Sequence, residues 1–406
     1  MRILIITPHY LPDGGPSAVL FSLLSNKLSD RGHNVTILTG VPHYPTGKVL
    51  NQYRGLAIRK ERTNNIKILR VPLPSLDRQK LFLRFFQFVC FQLGALFAGL
   101  FEKYDIVLAS NPALQTGLPF LFLGRLRGKP SIFSVHDVYP DVGIRLGILQ
   151  NRLIIRLVET LETLCYKSAN KIRVLSESFI PAITRSNIKQ SKIVLIYDWV
   201  DTDLIRPLPK ENAFSKSYGM DKRFIVLYAG NLGLSQGLEN IISAAEILAG
   251  NNDIMFVFVG DGADKKRLQH LVKMKKLTNV VFIPFQERSR LPEVLASADI
   301  SIVNLKKGIS FNSLPSKIYS ILASGRPIIA CLDEGSDSWN LIHKSKSGVC
   351  LPPEDPIMLA NTILELKHEN ERRHRLGESG RAYCVSHYSP EHAADLFIEL
   401  FDSLLK

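Results

Sequence analysis

The feature that most constrains the fold is an alternation that runs the length of the chain and starts over once in the middle. Short apolar runs with strand character are separated by segments with helical spacing. "RILIIT" leads through a glycine turn to "SAVLFSLLSNKLSDRG" and then "NVTILT", and "YDIVLAS", "KPSIFSVHD", "ANKIRVLS" and "KIVLIYD" follow. Parallel strands need long crossovers, so this rhythm implies a mostly parallel sheet wrapped by helices on both faces. The proline-bearing stretch "DWVDTDLIRPLPKENAFSKSYGMDKR" interrupts it and reads as a linker. A second series then begins with "FIVLYAGNLG" and runs through "LENIISAAEILAG", "IMFVFVGDG", "NVVFIPF", "ADISIVNL" and "RPIIACL". The last segment, "SPEHAADLFIELFDSLLK", has the start signal and spacing of an amphipathic helix. At 406 residues the chain exceeds one ordinary core. The expectation is an α/β protein of two doubly wound units facing a cleft, with function in the loops at the carboxyl ends of the strands.

Composition narrows the class of function. A hydrophobic content of 46% with 22% charged residues is that of a globular protein, and the formal charge of +14 suits an anionic partner. Basic residues gather in "IRKERTNNIKILR", "DRQKLFLR", "GRLRGK" and "NRLIIRL" without an aromatic-interleaved or zinc-spaced signature, which argues against nucleic acid. Five scattered cysteines, never spaced CxxC, read as thiols in a reducing compartment. The opening "MRILIITPHY" has too short an apolar run for a signal peptide and reads as a first strand. The segment "KLFLRFFQFVCFQLGALFAGLFEKYD" has three open readings: a helix covering a sheet, a patch pressed into the inner leaflet with Arg78, Lys80 and Arg84 on lipid phosphates, or a transmembrane span, for which its apolar run is short.

Five loops could carry chemistry. Gly14 and Gly15 in "PHYLPDGGPSAVL" precede a helix and offer either close backbone approach to a ligand or a plain tight turn. "YAGNLGLSQGLENI" is its counterpart in the second series, with Asn231 and Gln236 able to hydrogen-bond and no Walker lysine. "VGDGADKKRL" places Gly260 in a turn that suits either a nucleotide or solvent. "SVHDVYPDVG" sets His136, Asp137 and Asp141 at a strand end, where acid–base work and simple packing are both open. The fifth, "FNSLPSKIYSILASGRP", puts Lys317 in the first turn of a helix, where the dipole disfavours a cation. That lysine either points into water or reaches over a bound anion.

Taken in order, "GGPSAVLFSLLSNKLSDRGHNVTILT", "IYDWVDTDLIRPL", "YAGNLGLSQGLENIISAA", "FVGDGADKKRL", "LPEVLASADISIV" and "ILASGRPIIA" resemble the retaining GT-B glycosyltransferases of family 4, in particular the bacterial branch similar to L-fucosamine and colanic-acid glycosyltransferases. The resemblance implies two Rossmann-like parallel-sheet domains: residues 1–200 for the acceptor, with a C-terminal helix 388–406 crossing back onto them, and 201–387 for the donor. It implies transfer with retention of an N-acetylated deoxy- or amino-sugar from a UDP-sugar donor to a polyprenyl-diphosphate-linked saccharide. It further implies no metal or other cofactor, and a cytoplasmic location, peripheral on the inner face of the plasma membrane. By the same resemblance His136, Asp137 and Lys317 are the expected catalytic residues. Gly14, Gly15, Asn231, Gln236, Gly260, Phe285, Asn312, Ser313, Pro315, Ser316 and Ser320 are expected to meet the donor.

Two departures from the family pattern stand out. The paired glutamates that many members carry correspond to Asn312 and Ser320, and the basic pair of the first donor-domain loop corresponds to Asn231 and Gln236. Lys317 is then the nearest candidate to offset the diphosphate charge. Two other readings share the architecture: a nucleotide-sugar 2-epimerase using Asp137 or Asp141, and a non-catalytic membrane-associated scaffold.

Overall fold

The structure, a computed structural model, describes residues 1–44, 46–76, 80–139, 151–312 and 314–406. Its contacts divide the chain into two compact units, Met1–Asp198 with Pro390–Lys406, and Trp199–Ser389.

The strands of the first unit are Arg2–Ile6 (β1), Asn34–Gly40 (β2), Arg59–Thr63 (β3), Ile66–Val71 (β4), Ile106–Ser110 (β5), Ser131–Val135 (β6), Lys171–Val174 (β7) and Ile193–Leu195 (β8). They form one sheet in the order β3-β4-β2-β1-β5-β6-β7-β8, so the winding reverses between β1 and β5. All neighbours are parallel except the hairpin β3–β4. This hairpin lies in "IRKERTNNIKILR", which the sequence reading took only as a basic cluster. Its turn places Asn64 at φ +52°, and the buried Arg70 pairs with Glu61 at 2.7 Å and donates to the Leu11 carbonyl at 2.6 Å.

Around this sheet lie the helices Pro16–Asp30 (α1), Leu81–Leu100 (α2), Ala113–Phe120 (α3) and Arg152–Ser168 (α4). The C-terminal helix Pro390–Leu405 packs on α1 with Phe397 and Phe401 buried. Ion pairs Lys27–Glu391 and Arg31–Asp395, each at 2.5 Å, flank that seam.

Of the three readings of residues 81–101, covering a sheet describes one face of α2. Gln87 donates to the carbonyls of Gly47 and Pro74, and Gln92 donates to Leu114 O and accepts from Leu118 N. The glycines explain the close fit: a Cβ at Gly94 would lie 2.3 Å from Val71 Cγ1, and one at Gly99 would lie 2.3 Å from Leu123 Cδ1. Arg78, expected on lipid phosphates, lies outside the described residues.

The strands of the second unit are Phe224–Ala229 (β9), Ile254–Val259 (β10), Val280–Ile283 (β11), Ile300–Asn304 (β12), Ile328–Cys331 (β13) and Gly348–Leu351 (β14). All are parallel, in the order β11-β10-β9-β12-β13-β14, with the reversal between β9 and β12. The helices used below are Glu239–Ile247 (α5), Lys265–Met274 (α6) and Lys317–Ser324 (α7). The stretch read as a linker is instead part of this unit. Arg381 donates to the carbonyls of Thr202, Ile205 and Ala323, Arg326 donates to Leu208 O, and Asn212 opens a short helix through a capping box.

Candidate active site

Because the six strands of the second unit are parallel, the loops after β9, β10, β12 and β13 emerge along one edge. Those after β9 and β10 touch. A Cβ at Gly260 would lie 2.0 Å from Gly230 O, and one at Gly262 2.4 Å from Leu232 O, so only glycine permits the contact. Leu232 N donates to Asp261 O at 2.8 Å and Asp264 N to Leu232 O at 2.9 Å, which locks the two loops together. Asn304, fully buried at the end of β12, donates to the carbonyls of Gln236 and Gly237 at 2.6 and 3.0 Å and fixes the turn before α5. Asp333, just past β13, accepts from the backbone of Gly308 and Ser310 and orders the loop that leads to α7.

Lys317 is the first residue of α7, preceded by Ser316 with no side-chain cap. Pro315 thus stands before the helix and not in its first turn. The lysine does not point into water. Its Nζ donates to Tyr228 OH at 2.5 Å and to Gln236 Oε1 at 3.0 Å, and sits 3.9 Å from the centroid of the Tyr228 ring. Gly230 leaves room for it, since a Cβ there would lie 3.2 Å from Nζ. Burial pushes the ammonium down to about 7, and among its described contacts no carboxylate opposes that push. A helix N-terminus, two glycine loops and a buried amine therefore converge where an anion would be stabilised.

The remaining expected donor residues are arranged less uniformly. Gln236 has its Oε1 taken by Lys317 and Tyr228, which leaves Nε2 to meet a ligand. Asn231 is exposed beside the glycine contact, Ser316 is exposed, and Pro315 and Ser320 are half-buried. Phe285, past β11, is 75% exposed. The backbone of Asn312 ends the turn Ser310–Asn312, and Ser313 and Asp141 lie outside the described residues.

In the first unit, packing alone requires glycine at position 15: a Cβ there would lie 2.2 Å from His9 Cγ. Gly14, whose Cβ would meet nothing nearer than Tyr44 Cδ1 at 3.9 Å, is the one that leaves open space. His9 Nδ1 donates to Asp13 Oδ2 at 2.8 Å, the His43 ring stacks on His9, and Tyr44 N donates to Asp13 Oδ1. Burial raises the Asp13 carboxyl, but His9, His43 and the Tyr44 N–H outweigh it and the net shift is downward. His9, Asp13 and His43 offer ligand atoms within 4.8 Å of one another, as a metal ion would need. Hydrogen bonds already engage both Asp13 oxygens, so the trio is complete as a lock on this loop.

His136 follows β6. Its backbone N donates to Asn111 Oδ1 at 2.8 Å, its Nε2 lies 3.3 Å from Ser134 Oγ, and its Nδ1 lies 3.7 Å from Asp198 Oδ1. Burial pushes the imidazole down to about 4 against the opposing pull of Asp198, so it is neutral at physiological pH. Asp137 is exposed, and its carboxyl is raised to about 6 by desolvation and by the charge of Asp198. Asp198 pairs at 2.7 Å with Arg173, which is fully buried and also donates to Ile196 O and Ser134 Oγ.

Glu162 of α4 is buried and accepts from Ala113 N, at the start of α3. Burial pushes it up to about 8 against the Ala113 N–H and Tyr166. A carboxyl raised on folding supports stability below its ordinary pKa and loses that support as pH rises through the folded value. Glu162→Gln is therefore expected to raise stability on the order of 3 kcal/mol at pH 9 and to change it little at pH 5, measured by urea unfolding at both pH values. An equal effect at both would refute the assignment.

Tyr228, Asn304, Asp333, Arg173 and Asp198 were not singled out from the sequence. Each had a signal: a polar or charged residue inside or just past an apolar strand run, as in "FIVLYAG", "ISIVNL", "IIACLDEG", "KIRVLS" and "KIVLIYD".

Two doubly wound units, with glycine loops and a lysine-bearing helix start at the strand ends of the second, define a protein of the GT-B class. The description "Glycosyl transferase 4-like domain" fits residues 14–199 and "Glycosyl transferases group 1" fits residues 210–383, and the chain belongs to this family of glycosyltransferases. It is 24% identical over 364 residues to a colanic acid biosynthesis glycosyl transferase, WcaI of Escherichia coli (strain K12), covering 87% of this chain and 89% of that one. It is 25% identical over 418 residues to O-antigen chain mannosyltransferase C of Escherichia coli, covering 100% and 99%. Among solved structures, Anabaena HepE in complex with UDP superposes over 100% of both chains with a TM-score of 0.71 at 16% identity.

Proposed function

We propose that this enzyme moves a sugar, an N-acetylated deoxy- or amino-sugar, from a UDP-linked donor to a polyprenyl-diphosphate-linked saccharide, with retention, in bacterial O-antigen, capsule or exopolysaccharide synthesis. The second unit holds the donor, the first the acceptor, and the reaction proceeds in the cytoplasm at the inner face of the membrane without a metal. The observation that carries this reading is Lys317 at the start of α7, held against Tyr228 and Gln236 beside the touching Gly230 and Gly260 loops. As the bond from the anomeric carbon to the β-phosphate oxygen breaks, the acceptor hydroxyl forms the new bond on the same face and its proton passes to the departing phosphate oxygen. The departing diphosphate gains negative charge, which the ammonium and the free N–H groups of α7 meet. The names of the two Escherichia coli relatives support a surface polysaccharide as product, and the UDP bound to HepE supports the donor class.

Thermal shift with UDP, GDP and UMP tests the donor. UDP at a hundred times its dissociation constant is expected to stabilise the chain by about 2.7 kcal/mol, and UMP and GDP clearly less. Radiolabel from a UDP-sugar should then pass into a lipid extract, with EDTA making no difference. A sugar isomer released without acceptor would favour the epimerase, and no shift with any nucleoside diphosphate would favour the scaffold.

A further inference from the structure

We infer that the outward face of α2, with the π-helix Leu121–Leu126 beside it, is a membrane-docking surface that lies flat in the interface of an anionic bilayer. The positions not packed against β2, β4 and α3 form one stripe at helical spacing: Phe82, Phe85, Phe86, Val89, Leu93, Leu96, Phe97 and Leu100. Every one is apolar, and at 1.5 Å per residue they run for about 27 Å. Phe82 is 77% and Phe97 59% exposed, and Phe101, Phe122 and Leu126 extend the patch at its far end. Elsewhere on a water-facing helix these positions would be polar. Here the polar residues Gln87 and Gln92 face inward, and the apolar ones face out.

Charge chooses the occupant. Leu81–Leu100 contains no acidic residue. Lys80 stands at one end, Lys103, Arg125 and Arg127 at the other, and the nearby Glu102 is neutralised by Lys67 at 2.7 Å. A second copy laid on this face in either direction would bring basic ends against basic ends. Lipid phosphates, by contrast, would meet both ends while acyl chains take the stripe between them. The inference adds a surface to the proposed location and is independent of the donor reading; a native chain that UDP stabilises but that binds no vesicles would overturn this inference alone.

The test is sedimentation of the full chain with vesicles of phosphatidylcholine doped with phosphatidylglycerol. The chain is expected to bind, more weakly at high salt, and the triple change Phe82→Ser, Phe86→Ser and Phe97→Ser should lower partitioning about a hundredfold or more with the melting temperature held. Should that variant fold poorly, Leu93→Trp in the otherwise native chain gives a second reading. Emission from the introduced indole should shift to the blue on vesicles and be quenched by lipids brominated on the acyl chains. No vesicle binding, binding indifferent to the triple change, or an indole emission that brominated lipid leaves unquenched would overturn the inference. So would a dimer that the triple change dissociates, since the face would then join two copies.

Discussion

Lys317→Ala is expected to lower sugar transfer by about a hundredfold to a thousandfold, the loss typical when a positioned group stabilising transition-state charge is removed. Glu334→Ala, at an exposed residue just past β13, should retain most of the rate. The contrast follows from what surrounds the donor loops. The loop after β9 supplies Asn231 and Gln236, both neutral, so the charge of a departing diphosphate falls to the helix start and to this lysine. Comparable turnover in the two variants would refute the assignment. The pH dependence carries more information. With the free amine held down to about 7 by burial, the charged form that binds an anion predominates below that pH and is lost above it. The kcat/KM of the native enzyme should therefore fall as pH rises past about 7, while kcat holds to a higher pH because bound diphosphate favours the ammonium. Lys317→Arg keeps its charge throughout, so whatever activity it retains should show no such fall in kcat/KM.

The question raised by Lys317 shows how far the sequence could be read. Its position at a helix start, the glycine loops and the twin winding follow from patterns local to a few residues each, and the structure has them. The resting place of the lysine does not, because Tyr228 and Gln236 lie far from it in the chain and meet it only when β9 and β12 become neighbours. A tyrosine within "FIVLYAG" satisfies a strand pattern whether or not its hydroxyl has a further task. The same limit hid β3 and β4, where basic residues masked the alternation, and it hid the His9 ring that packs where a Cβ at Gly15 would stand. The Asn312 and Ser320 substitutions were legible only by resemblance, since spacing alone gives no reason to expect carboxylates there.

Arg173 and Asp198 lead to the second large effect. Asp198→Ala should destabilise the first unit by about 3–5 kcal/mol, because it leaves a fully buried guanidinium without its carboxylate. Arg173→Leu combined with Asp198→Asn should cost less than Asp198→Ala alone, since no charge is then stranded. Burial raises the Asp198 carboxyl, but Arg173 and His136 outweigh it and hold it below its ordinary value. A depressed carboxyl contributes stability above its unfolded pKa and loses it as pH falls through the folded one. The gap between native and Asp198→Ala proteins should thus be full at pH 7 and close below about pH 4, read from urea midpoints at a series of pH values. His136 sharpens the interpretation. Its imidazole, already pushed to about 4, loses the favourable charge of Asp198 when that residue is removed, so it stays neutral at pH 7 in both proteins. Any change in activity at that pH then reflects the placement of the ring and the β6 strand end, not a change in its proton. A gap that persisted undiminished at about pH 3 would mean that Asp198 acts by packing and not as the partner of a buried charge.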